Sequence, residues 1–161
     1  MKYKFNFACI VSRLLYGLQA AWLIKVARDR LDGFHAKCLR QILGIAPSYY
    51  SRISNETVLQ QLQAPKLSEL LLQQQLNFFG RVARRSSLCP VRRLIFANDG
   101  LTLQDAASKR IRGRPRQTWP SEIFRRGVAM AGPIAAFESL IVNEQAWKEA
   151  VRLHCRSACS Q

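Results

Sequence analysis

The sequence predicts an all-α fold, an irregular bundle of about five to seven helices with a basic exposed loop. Three observations lead there. Apolar residues recur at steps of three to five, no Val/Ile-rich alternation marks a strand, and Pro and Gly fall where helices would start or stop. With 161 residues, 48% of them apolar, the chain is about one domain long and can bury a core.

The clearest helix covers about 22–43. Leu23, Val26, Ala27, Leu31, Phe34, Cys38 and Ile42 draw one apolar stripe, with Arg28, Arg30, Lys37 and Arg40 mostly off it. Gly44 and Pro47 are its stop signal, because Gly takes the left-handed cap conformation and Pro cannot continue the ladder. A short helix over about 55–63 follows, with Ser54 as N-cap and Glu56 in the first turn, where the helix dipole favours an acid. Pro65 opens the next helix, about 66–85, with Leu67, Leu70, Leu71, Phe78 and Val82 on one side and Arg81, Arg84 and Arg85 in its last turn. Pro90 opens a brief helix to Ala97, and Asn98-Asp99-Gly100 reads as a turn. Residues 105–117 read as an exposed loop. Two further helices cover 119–131 and 143–155, the second with Asn143 as N-cap and with Trp147 and Val151 facing inward. No internal repeat is present.

Charge narrows the partner classes. Twenty-five Lys and Arg against ten Asp and Glu leave +15, a surplus that favours polyanions, nucleic acid before anionic membrane. Residues 1–44 hold 8 basic and 2 acidic residues, and residues 45–107 hold 7 and 4. The short stretch 108–126 holds 7 and 1, and residues 127–161 hold 3 and 3. The third is by far the densest. Whole-chain disorder is excluded by the apolar content. A membrane span is not expected, since uncharged stretches such as Leu14–Ile24 run 11 residues and a span needs about 20. Nor is a membrane-surface role, because the basic residues gather in a loop rather than along one helix face. Lys2 and Lys4 before Phe5–Val11 mimic a signal peptide, but Ser12 and Arg13 interrupt it. Five scattered cysteines make a poor disulfide framework, so an intracellular setting, nucleus or cytoplasm, is expected.

The foremost candidate site is the string Lys109-Arg110-Ile111-Arg112-Gly113-Arg114-Pro115-Arg116. It has no apolar periodicity and cannot be a core element. Gly and Pro favour an extended backbone whose guanidinium groups can follow phosphates or enter a narrow groove. Its Arg-Gly-Arg-Pro core is similar to the AT-hook, a peptide of A·T-rich minor grooves. The blander alternatives, general phosphate contact or a solvated loop, stay open beside it. Arg81, Arg84 and Arg85 form a second candidate patch. Among the aromatics, Phe78 and Trp147 fit helical core positions. Trp119, just after the basic string, is the best candidate for stacking on bases, and Tyr49-Tyr50 beside Arg52 is a second choice.

Catalysis by this chain is not expected. The ten acids are isolated, and Asp29 and Asp32, flanked by Arg28 and Arg30, read as a solvated, salt-bridged face rather than a two-metal carboxylate cluster. No phosphate-binding Gly-rich loop and no nucleophile elbow occurs. His35 with Cys38, and His154, Cys155 and Cys159, lack the paired spacing of a zinc site, so no metal, other cofactor or small-molecule substrate is implied.

Several strings in order resemble the region after the polymerase of non-LTR (LINE-type) retrotransposon endonuclease/reverse transcriptases. They are Leu14-Leu15-Tyr16-Gly17 with Trp22, then Phe34-His35-Ala36-Lys37-Cys38-Leu39-Arg40-Gln41-Ile42-Leu43-Gly44, then Asn55-Glu56-Thr57-Val58-Leu59. Gln75-Leu76-Asn77-Phe78-Phe79-Gly80-Arg81-Val82, Arg112-Gly113-Arg114-Pro115-Arg116-Gln117-Thr118-Trp119 and Ala146-Trp147-Lys148 complete the series. The resemblance implies a division into 1–21, the end of the polymerase region, with a strand leading into helix; 22–104, a thumb-like helical domain; 105–118, the basic loop; and 119–161, short helices and tail. Without sheet partners, Phe5–Tyr16 would refold as helix or expose apolar surface. The polymerase metal site and the endonuclease of the family match nothing here, so the resemblance implies a template-primer-holding piece that binds RNA or DNA and has no catalytic residue. The alternative reading is a protein-interaction helical module whose apolar stripe docks a separate, missing polymerase domain. The knuckle spacing at the end of some family members is not reproduced by His154, Cys155 and Cys159.

Overall fold

Proline and glycine punctuate the helices much as the sequence predicts. The computed structural model describes residues 7–97, 100–104 and 118–157. Among them are nine α-helices and no sheet, so the fold is all-α. The chain divides into two compact units, 1–72 and 73–161.

In the first unit, a π-helical turn at Phe7–Val11 runs into α1 (Ser12–Leu15). The strand that the resemblance places there is therefore helix. Its burial explains why: Val11 and Leu15 are 3% exposed and pack against Leu67 and Leu71, which replaces sheet pairing as a way to remove apolar surface from water. Helix α2 (Lys25–Leu43) ends at Gly44, whose φ of 69° is the left-handed cap that the sequence predicts. Helix α3 (Ser48–Ser51) is a single turn, and α4 (Asn55–Gln61) starts where Ser54 Oγ accepts the Thr57 N–H at 3.1 Å. Leu39, Val58 and Ala64 form a small core under Ile42, Leu43, Ile53 and Leu59.

The stripe predicted along α2 is rotated from the face actually buried. Val26 and Phe34 are 56% and 47% exposed, whereas His35, Ala36, Leu39 and Arg40 are buried. Arg40, expected in solvent, is the reason. Its guanidinium donates to the Ala46 carbonyl (3.3 Å), Ser51 Oγ (3.4 Å), the Ile53 carbonyl (2.6 Å) and Asn55 Oδ1 (3.0 and 3.3 Å). Drawing these acceptors inward satisfies a buried cation that would otherwise be costly.

Helix α5 (Leu67–Ala83) spans the boundary between the units, and its start is capped from a distance. Asp32 on α2 accepts the Ser68 N–H at 2.8 Å and the Ser68 hydroxyl at 2.6 Å. Asp32 is thus a half-buried cap for an orphan helix N–H rather than part of a solvated salt-bridged face.

The second unit holds the end of α5, then α6 (Pro90–Ile95), α7 (Trp119–Ala131), α8 (Ile134–Val142) and α9 (Glu144–Ser157). Asn143 caps α9, its Oδ1 accepting the Gln145 and Ala146 N–H groups at 3.1 Å. Helices α1, α3 and α8 are additions to those read from the sequence.

Phe79, fully buried, is the hub of this unit. Its ring centroid lies 5.4 Å from Phe96, 6.2 Å from Trp119, 6.4 Å from Phe124 and 6.5 Å from Phe137. Trp147, also fully buried, meets Phe137 edge-on at 5.9 Å and lies against Gly80, where a Cβ would stand 2.7 Å from Cδ1. That close approach lets the indole N–H donate to the Leu76 carbonyl at 3.1 Å, one helical turn before the glycine. No helix among the described residues is long and apolar enough to cross a membrane.

Candidate nucleic-acid interface

Lys109, Arg110, Arg112, Arg114 and Arg116 lie outside the described residues; the two flanks of their segment do not. Before it, the chain folds back on itself. Phe96 and Leu103 form an antiparallel bridge, the Ala97 N–H donates to the Thr102 carbonyl and the Gln104 N–H to the Ile95 carbonyl, both at 2.8 Å. After it, Thr118 and Ser121 share a hydroxyl contact at 2.8 Å at the start of α7, and Trp119 enters the core. Phe96 and Trp119 both pack on Phe79, so one buried ring fastens both flanks.

Trp119 corrects a sequence expectation. It is 8% exposed, with its ring 5.6 Å from Phe78 and 6.2 Å from Phe79, and offers no face for a base. The physical reason is the aromatic pair on α5, about forty residues away in sequence, which gives the indole an apolar bed that its basic neighbours did not signal. Trp147 is core, as expected.

The second patch lies at the basic end of α5, where positive charge also suits the helix dipole. Arg81 and Arg85 are exposed, and the Arg81 guanidinium lies 5.8 Å from the centroid of the Phe78 ring. Arg84 is half-buried and donates to the Ile141 carbonyl at 3.0 Å, capping the end of α8. It serves the fold as well as the charge. Lys148 joins this group through its ion pair with Glu144 at 2.5 Å, while Arg84 and Arg81 act on the same carboxyl from farther off. Together they hold Glu144 below the usual carboxylate range, with the Lys148 hydrogen bond the largest cause. Three cations around one carboxylate leave a local positive excess.

The titratable candidates do not converge. His35 is 2% exposed and neither ring nitrogen has a hydrogen-bond partner. Burial pushes its imidazole pKa down, against a smaller upward pull from Asp32. Asp32 is committed to Ser68, and Cys38 is half-buried. Among the described residues no group of three or more His, Cys, Asp or Glu side chains could hold a metal ion. Cys155 is buried in α9, and Cys159 lies outside the described residues.

Arg40 is the residue whose role sequence reasoning missed. Its place in the last turn before a glycine cap suggests only contacts with that helix's own end carbonyls, whereas its partners lie beyond the helix, at Ala46, Ser51, Ile53 and Asn55. It organises Ala46–Asn55 and with it the exposed Tyr49 and Tyr50.

No protein-family model, curated protein or solved structure matches this chain.

Proposed function

We propose that this chain binds RNA or DNA through phosphate contacts, as a template-primer-holding piece similar to the post-polymerase region of LINE-type reverse transcriptases. The observation that carries the reading is the local imbalance of charge: 7 basic residues against 1 acidic within 108–126. Neutralising that density inside a fold would need carboxylates that the neighbouring sequence lacks. Phosphates supply the negative charge, releasing condensed counterions as they bind. Arg112, Arg114 and Arg116, with Lys109 and Arg110, are the principal ligands, and Arg81, Arg84 and Arg85 the secondary ones. The binding reading holds without the resemblance, since the charge map stands by itself; chemistry is assigned to no residue.

The test is a salt titration of binding to single-stranded RNA, an A·T-rich duplex and a G·C-rich duplex. About five duplex phosphate contacts give a slope of log affinity against log salt near −4 to −5. Replacing Arg112, Arg114 and Arg116 together by Ala should flatten it. A slope near zero refutes the proposal.

A second reading is a helical module that docks a separate polymerase domain. Leu88, Val91 and Leu94 favour it: at three-residue spacing across the start and outer face of α6, they are 75%, 45% and 78% exposed. It predicts weak, salt-insensitive nucleic-acid binding and self-association of the isolated chain.

A further inference from the structure

We infer that Tyr49 and Tyr50 form a stacking platform for the bases of single-stranded nucleic acid, an inference that rests on the nucleic-acid-binding reading above. The two rings are 67% and 72% exposed, and they pack on each other with centroids 4.1 Å apart at a 40° tilt. The contrast with the other unit is sharp: its aromatic hub takes Phe79, Trp119, Phe137 and Trp147 out of water, whereas this pair stays in it.

A one-turn helix such as α3 does not hold itself together. Arg40 holds it from below. Its guanidinium binds the Ala46 carbonyl just before α3, the Ser51 hydroxyl within it, and the Ile53 carbonyl just after it. The Pro47 carbonyl accepts the Tyr50 and Ser51 N–H groups, both at 3.0 Å, and the Ser48 carbonyl accepts the Arg52 N–H at 2.9 Å. The backbone beneath the tyrosines is therefore ordered before any ligand arrives, so little further ordering opposes binding.

The surroundings select the ligand class. Beside the pair stand Ser48 and Ser51 on the same turn, the exposed Pro47 at its start, and exposed Arg52, whose φ of 57° turns the chain out of α3. Glu56, the acidic residue that follows, is ion-paired with Lys66 at 3.8 Å. Two exposed aromatic faces beside an exposed cation fit a base and its phosphate. Duplex bases already stack on one another, so the platform distinguishes single strands from duplexes.

The experiment measures the affinity of the full chain for a fluorescent single-stranded oligonucleotide and for the same sequence as a duplex. It compares wild type, the Tyr49→Ala/Tyr50→Ala pair, and the Tyr49→Phe/Tyr50→Phe pair, which keeps both rings. The Ala pair should weaken single-strand binding by about tenfold or more and leave duplex binding unchanged, while the Phe pair stays within about twofold of wild type. Equal loss on both ligands, or no loss on either, overturns the platform. If wild type still binds both with steep salt dependence in that case, phosphate binding survives without it. If wild type binds neither ligand, both proposals fall.

Discussion

Gly80→Ala would place a methyl carbon 2.7 Å from Trp147 Cδ1 and 2.9 Å from Cε2, where ordinary contacts begin near 3.4 Å. The indole is fully buried and cannot swing into solvent. The nearest atom of all is Trp147 Nε1, so relieving the clash moves the ring by about 1 Å, in a core packed too densely to absorb it freely. The same movement lengthens the 3.1 Å bond from Nε1 to the Leu76 carbonyl past useful range. Overpacking costs about 1–3 kcal/mol and a buried N–H left unmade about 1–3 more, offset by about 1 kcal/mol of helix propensity gained over glycine. The net loss is centred near 3 kcal/mol on these figures. Urea denaturation followed by tryptophan fluorescence measures it. Gly33→Ala in α2 is the matched control, because a Cβ there meets nothing within 4 Å, and it should stabilise by about 0.5–1 kcal/mol. A Gly80→Ala protein as stable as wild type would refute the account of how Trp147 is held.

His35 makes stability depend on pH. Burial lowers its folded pKa below the ordinary 6.5, so the unfolded chain binds the proton more readily. The contribution of neutral His35 is thus fully present above about pH 6.5 and lost progressively as pH falls toward the folded pKa. Denaturation midpoints between about pH 7.5 and 5.5 should fall more in wild type than in His35→Leu; equal slopes would count against this. Arg40→Met keeps an unbranched apolar stem but strips donors from Ala46, Ser51, Ile53 and Asn55, and should cost about 2–4 kcal/mol by the same denaturation assay. A change within experimental error would show that the segment around α3 holds its shape by other means.

Local sequence carried the helix positions well wherever a breaker stood beside a periodic run. Ser54, Gly44, Pro90 and Asn143 mark real ends for that reason. Helix α8 escaped because Ile134–Val142 is apolar nearly all round, apart from Glu138 and Ser139, and so shows little contrast between faces. The register of α2 escaped for a different reason. Hydropathy placed Phe34 inward and Arg40 outward, while acceptors up to fifteen residues away, on the stretch from Ala46 to Asn55, reversed the two. Trp119 was similarly decided by Phe78 and Phe79, partners that no local window contains. The charged part of the candidate site was legible because charge density needs no tertiary information. The tyrosine pair was legible as composition, but the buried arginine that steadies it was not.

Because Phe96 and Trp119 both rest on Phe79, the two stretches of chain on either side of residues 105–117 depend on one side chain. Truncating that ring would loosen both at once, so a single core position couples two stretches that lie far apart in sequence.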